Sequence, residues 1–253
     1  MYRVAPAAFE RLGADVHAVG NQPDGANINV GCGATDLSLL ARVVRDGHFD
    51  FGVAFDGDGD RVLAVDSGGK EIDGDHILAV LALHLGVDAV AVTRMTNLGF
   101  HRLAAERGLR VITTDVGDRY VLEALRREGA VLGGEQSGHV LYLEGHTSGD
   151  GLVAALLLAR AVVESGTALA ELAAVMPTFP QAKVNVPTES KEIPETVREA
   201  VERENEQLGG EGRVLVRTSG TEPVVRILAE AKSVEVAECL AGKIAALVES
   251  ALV

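Results

Sequence analysis

The chain has 253 residues and a net charge of −14, with 37 Asp and Glu against 23 Lys and Arg. Hydrophobic residues at 47% and charged ones at 24% are globular proportions that exclude a disordered chain, and the acidic balance argues against a nucleic-acid partner. With 4% aromatics and no Trp, the core must be built mainly from Val, Leu, Ile and Ala.

The opening segment MYRVAPAAFERLG has no apolar signal core. Strands are predicted at residues 15–19, 51–55, 62–66, 89–93, 110–113 and 139–143, from short runs of β-branched and apolar residues. Between them, residues 36–45, 77–85, 100–107 and 119–127 carry apolar side chains at helical spacing. Asp36 and Asp118 suit helix starts, and Gly47, Gly86, Gly108 and Gly129 stand where helices should stop. Residues 152–163 are apolar nearly all round, which predicts a helix buried between layers; Arg160 and the short length exclude a bilayer span. From Met176 the segment MPTFPQAKVNVP has three prolines and no helical period, so it reads as a boundary or hinge-like linker. A charged helix (195–207), two strands (214–217 and 224–230) and a last helix (234–252) follow. The resulting class is α/β: two consecutive α/β domains with mixed or parallel sheets, at residues 1–72 and 73–176, then a small α+β domain at 177–253. Two cysteines, Cys32 and Cys239, can form neither a disulfide framework nor a thiolate metal site. The expected setting is the cytoplasm, with no membrane partner.

Chemistry concentrates in four places. In FDGDGDRV, a strand runs into Asp56, Asp58 and Asp60, separated only by glycines. Three such carboxylates repel one another unless neutralised, and the glycines let them converge on a hard divalent cation, Mg²⁺ with Mn²⁺ as substitute. A solvated acidic turn is the plain alternative. An EF-hand fails, because its sixth and twelfth positions would be Arg61 and Ser67. A phosphatase with a strand-end Asp nucleophile fits this loop as well. In GGEQSGHV, Glu135, Gln136, Ser137 and His139 crowd a glycine-flanked loop, the mixture that hydrogen-bonds a polyhydroxylated ligand; a polar hairpin turn is the alternative. VRTSGTEPVVRI sets Arg217 and Arg226 around a Ser/Gly/Thr turn that can cradle phosphate, although SGTEP is also good turn chemistry. At Gly117-Asp118-Arg119-Tyr120, a helix start and Arg119 could meet an anion, or Asp118 could simply cap the helix.

In this order, the acidic loop, the GGEQSGH loop and the arginine-flanked SGTEP loop resemble the α-D-phosphohexomutases over essentially the whole chain. Residues 27–33 (NINVGCG), Gln136 and the GDRYV segment 117–121 make it most similar to the family's bacterial phosphoglucosamine mutase branch. The resemblance implies Mg²⁺ on Asp56, Asp58 and Asp60, with Arg61 beside the reacting phosphate. It implies sugar hydroxyls on Glu135 and Ser137 with His139 nearby, and a grip on the non-reacting phosphate by Arg217, Ser219, Gly220, Thr221 and Arg226. Arg119 would stabilise charge near the substrate. The implied reaction interconverts glucosamine 6-phosphate and glucosamine 1-phosphate through a bisphosphate and a phosphoserine. Glucosamine or glucose 1,6-bisphosphate is the implied activator, a phosphorylated hexose the partner, and a homodimer is allowed. Mannose- or glucose-phosphate specificity and a non-catalytic phosphosugar-binding module are the alternatives. One departure is large: the family's Ser-His-Asn-Pro phosphoserine motif does not occur in these 253 residues. The chain therefore reads as a fragment holding most of the family's second domain, then its third and fourth, and alone is expected to be inactive.

Overall fold

The computed structural model describes residues 1–188, 190, 192–219 and 222–252. These divide into two units: Met1–Thr96 with Phe100–Pro177, and Asn97–Gly99 with Thr178–Val253.

The first unit opens with helices α1 (Val4–Arg11) and α2 (Ser38–Gly47), separated by a stretch without a strand. Residues 15–19, expected as a strand, pair with nothing among the described residues; His17 stacks on Phe49 instead, ring centroids 5.5 Å apart. A β-rich run without a partner ladder is only a propensity. Strands β1 (Phe51–Phe55), β2 (Val62–Asp66) and β3 (Glu71–Ile72) then form an antiparallel sheet in that order. Phe55 faces Val62 across the ladder, so the six residues 56–61, with the acidic triad, are the loop joining β1 to β2.

Helix α3 (Gly74–Leu85), β4 (Ala89–Thr93), α4 (Leu98–Arg107), β5 (Arg110–Thr114), α5 (Asp118–Glu128), β6 (Leu132–Gly134) and β7 (Val140–Tyr142) follow, then α6 (Gly151–Ser165) and α7 (Leu169–Ala173). The second sheet has the order β5-β4-β6-β7, with β4 parallel to β5 and β6, and β7 antiparallel to β6. Helices α3 and α6 touch strands of both sheets, α5 covers the other face of the second sheet, and α2 covers the first. Val62, Ala64 and Ile72 share one core with Ile77, Leu81, Val90, Val92, Phe100 and Leu158, so residues on both sides of position 72 bury their apolar surface together. It is α3, buried from Gly74 through Ala82, that is enclosed on all sides. Helix α6, expected in that role, buries Ala154, Ala155, Leu158 and Ala161 but exposes Val163.

The helix-stopping glycines behave as the sequence suggests: Gly86 and Gly129 cap α3 and α5 in the left-handed region, while after Gly47 it is His48 that takes that conformation (φ 56°). Asp36 stands two residues before α2, its Oδ1 accepting from Ser38 N (3.0 Å). Asp118 is the first residue of α5 behind Gly117, whereas Asp73 and Asp150 cap α3 and α6 with their side chains. The Asp150 carboxylate accepts from Leu152 N (2.9 Å) and Val153 N (3.2 Å). Asp150→Ala should cost about 1 kcal/mol, read as a lower urea midpoint at unchanged slope.

The second unit packs β8 (Gln181–Pro187), β9 (Arg213–Thr218) and β10 (Val224–Glu230) in the order β8-β10-β9, all antiparallel. Helices α8 (Glu195–Leu208) and α9 (Val234–Ala251) cover the face carrying Val225, Ile227 and Ala229. Strand β8 corrects the linker expectation. The segment expected as a linker or hinge supplies an edge strand, where proline is tolerated: Pro180 precedes it, Pro187 ends it, and Val184 and Val186 alternate inward against exposed Lys183 and Asn185.

Candidate functional site

The acidic loop draws its three carboxylates together: one oxygen each from Asp56, Asp58 and Asp60 lies within 4.8 Å of the others. Asp56 is the buried anchor. Its Oδ1 accepts from Gly59 N (3.1 Å) and Arg61 N (3.2 Å), and its Oδ2 accepts from Arg61 Nε (2.6 Å). Burial alone would raise the Asp56 pKa, but the Arg61 backbone amide and guanidinium outweigh it and hold it below the usual carboxylate value. The same pair raises Arg61 above its ordinary value, chiefly through the hydrogen bond to Asp56. At Asp60 the balance reverses. Burial, with the neighbouring carboxylates, raises it despite the pull of His139.

Asp60 Oδ1 is buried and has no hydrogen-bond partner, with Arg61 Nε at 3.7 Å. Asp58 is exposed at the loop tip. An all-oxygen donor set with one orphaned oxygen and one open side fits a hard divalent cation that keeps some of its water. Among the described residues this triad is the one group of His, Cys, Asp and Glu so arranged.

The second loop is fastened directly to the first. Arg61 and His139 form an isolated antiparallel bridge, and Val62 N donates to Gly138 O (3.0 Å). Gly138 has φ 93°, and a Cβ there would stand 2.3 Å from Val62 O. The His139 ring is thereby set between two carboxylates, Nδ1 at 3.4 Å from Asp60 Oδ2 and Nε2 at 3.9 Å from Asp118 Oδ2. Glu135 Oε1 accepts from Gly117 N (3.0 Å), tying the loop to the start of α5. Ser137 is exposed at the loop tip. Arg119 is not drawn in: it is 80% exposed and pairs with Glu123 one turn along α5 (2.8 Å).

In the second unit, Arg217 on β9 and Arg226 on β10 are cross-strand partners, so their side chains share the face away from α8 and α9. Arg226 Nη2 donates to Glu222 (2.5 Å), while its Nε is buried without a hydrogen bond. Ser219 N donates to Val224 O (2.9 Å) and its Oγ accepts from Glu222 N (3.3 Å). Gly220 and Thr221 lie outside the described residues.

Sequence reading missed three contributors. Asp73 contacts Gln136; Gly149 abuts the His139 ring, where a Cβ would lie 2.3 Å from Nε2; and Asn185 stands opposite Arg226 on β8. Asp73 and Asn185 act across 63 and 41 residues of chain and Gly149 from ten residues beyond His139, where no local pattern signals it.

Two family models match the chain: "Phosphoglucomutase/phosphomannomutase, alpha/beta/alpha domain III" over residues 73–179, and "Phosphoglucomutase/phosphomannomutase, C-terminal domain" over residues 157–247. A phosphoglucosamine mutase of Streptomyces griseus is 52% identical over 260 residues, spanning 99% of this chain and 57% of the relative. The chain thus spans little more than half the length of the curated relatives it matches. Among solved structures, a phosphoglucomutase/phosphomannomutase family protein from Burkholderia thailandensis is similar with a TM-score of 0.79 at 22% identity, over 95% of this chain and 56% of that one. An N-acetylphosphoglucosamine mutase of Aspergillus fumigatus, solved with GlcNAc-6P and magnesium, has a TM-score of 0.75 at 22% identity, over 89% and 54%. With successive domain models of one family matched from residue 73 to 247 and 99% of this chain aligned to a 52% identical phosphoglucosamine mutase, the chain belongs to the phosphoglucomutase/phosphomannomutase family, the α-D-phosphohexomutases.

Proposed function

We propose that this chain carries the cation, sugar and phosphate sites of a cytoplasmic mutase that interconverts glucosamine 6-phosphate and glucosamine 1-phosphate. The observation that carries the reading is the acidic triad, with its orphaned Asp60 oxygen, hydrogen-bonded in register to the Glu135–His139 loop. Asp56, Asp58 and Asp60 would hold Mg²⁺, which neutralises charge on a phosphoryl group when bound. Arg61, oriented by Asp56, would add guanidinium charge to the same oxygens, and Arg119 would join it after leaving Glu123. Glu135, Ser137 and His139 would bind sugar hydroxyls. Arg217, Ser219, Gly220, Thr221 and Arg226 would grip the phosphate that is not being transferred, indifferent to which end of the sugar bears it.

The reaction balances through a carrier. A phosphoserine passes its phosphoryl group to the 1-hydroxyl of glucosamine 6-phosphate and takes up that hydroxyl's proton. The 1,6-bisphosphate so formed, the activator when added from outside, turns over and returns its 6-phosphoryl group to the serine, whose hydroxyl proton passes to the sugar O6, leaving glucosamine 1-phosphate. The three-part division at 1–72, 73–176 and 177–253 is proposed on the same footing, supported by the family match that starts at residue 73. No helix among the described residues is long and apolar enough to cross a membrane.

These 253 residues lack a Ser-His-Asn-Pro segment, so turnover by them alone should stay at background, with or without added bisphosphate. A coupled assay for glucosamine 1-phosphate, run with and without a separately made phosphoserine-bearing domain of a relative, checks this. Turnover only in the supplemented reaction is the expected result; turnover by the chain alone would overturn the need for an external carrier.

A further inference from the structure

The residue between Glu135 and Ser137 faces a different way from its neighbours. While Ser137 is exposed, the Gln136 carboxamide donates from Nε2 to Asp73 Oδ2 at 3.2 Å, across 63 residues of sequence. Asp73 is the N-cap of α3: its Oδ1 accepts from His76 N (3.1 Å) and lies 2.6 Å from His76 Nδ1. The next residue adds a backbone tie, because Gly74 N donates to Gln136 O (3.0 Å). The approach there is close. A Cβ on Gly74 would lie 2.1 Å from Glu135 O and 2.7 Å from Gly138 N, so the first turn of α3 presses on the loop backbone itself.

Helix capping does not explain this arrangement. Asn and Asp cap about equally well, and the cap uses only Oδ1. The second carboxylate oxygen is engaged by Gln136, and α3 is buried from Gly74 to Ala82, which gives the loop a rigid support. Burial would raise the Asp73 pKa, but His76 and Gln136 outweigh it and keep the group anionic, as an acceptor at both oxygens requires.

We infer that Asp73 is a positioning residue that holds Gln136 inward and so fixes the backbone from which Glu135 and Ser137 reach the sugar. This rests on the proposal that those two residues bind sugar hydroxyls. A loop held only by its ends would order on binding and lose affinity accordingly.

The test exchanges donor and acceptor. In Gln136→Glu, two carboxylates meet where one hydrogen bond stood; glucosamine 6-phosphate affinity of the 253-residue chain, measured by calorimetry in Mg²⁺, should fall about tenfold. In the double variant D73N/Q136E, the carboxamide introduced on the helix cap donates to the carboxylate introduced on the loop. The cap survives, and affinity should return to within about twofold of wild type. Recovery in the double variant locates the loss in the Asp73–Gln136 pair and not in Gln136 alone. Q136L, with no added charge, is judged by the same loss should Q136E not fold. Glu135→Gln separates this inference from the reading beneath it. If E135Q weakens binding while Q136E does not, or if D73N/Q136E fails to recover, the positioning role is overturned and the sugar loop stands. If E135Q also binds as wild type, both fall.

Discussion

Asp58→Asn should abolish divalent-cation binding and leave the fold untouched. Asp58 is the exposed member of the triad, without the contacts to Gly59 and Arg61 that make Asp56 structural. Removing its charge should cost the loop little and would deprive the proposed cation of a direct ligand. Outer contacts around a metal cost about 10–100-fold in affinity, so loss of a ligand should exceed about a hundredfold. Calorimetric titration with Mn²⁺ and Mg²⁺, with thermal melts alongside, reads both effects. Equal cation affinity in wild type and D58N would mean that the carboxylates converge for another reason. Because Asp60 is raised above the usual carboxylate value, protons would compete with a cation held there, and affinity should strengthen as pH rises past the ordinary carboxylate range.

Gly138→Ala is the substitution expected to damage the site through the backbone. At φ 93° an L side chain is strained, at about 1–2 kcal/mol, and the new Cβ would enter Val62 O at 2.3 Å. Overpacking adds about 1–3 kcal/mol, for a total of about 2–5 kcal/mol. At the midpoint of that range, Tm should fall by about 7–14 °C. Gly129→Ala is the matched comparison: φ is 67°, yet no atom lies within 4 Å of the added Cβ, so only about 1–2 kcal/mol is at stake. If the two variants melt together, the close seam between the loops is not what fixes them. G138A should also weaken cation binding, because the Val62–Gly138 hydrogen bond adjoins Arg61 and its hold on Asp56.

Much of the architecture was legible wherever a signal is local. The strand running into Asp56, the apolar spacing of α3 to α5, and Gly86 and Gly129 as stops are each written in a handful of adjacent residues. The failures have physical causes. Residues 15–19 have strand composition but no partner, while residues 181–187 carry a proline and still form β8, because β10 offers an edge and proline's missing donor is harmless there. Alternation of strands and helices suggests parallel pairing, yet the six-residue acidic loop returns β2 directly along β1, which forces an antiparallel pair. The three motifs were visible as compositions. That Arg61 would bridge His139, that Glu135 would accept from Gly117, or that Gln136 would turn toward Asp73 was not, since each tie joins segments 18 to 78 residues apart. Arg119 shows the reverse: a suggestive neighbourhood in sequence whose side chain pairs with Glu123.

Phosphosugar binding by this chain is most directly tested by calorimetric titration of glucosamine 6-phosphate in Mg²⁺, with free glucosamine and Arg226→Ala as the comparisons. Saturable binding of the phosphosugar is predicted, with no measurable binding of glucosamine. A loss on the order of 1.5–3 kcal/mol is expected in R226A, where a charge-assisted phosphate contact is removed. Glucosamine binding as tightly as its 6-phosphate, or R226A retaining full affinity, would contradict it.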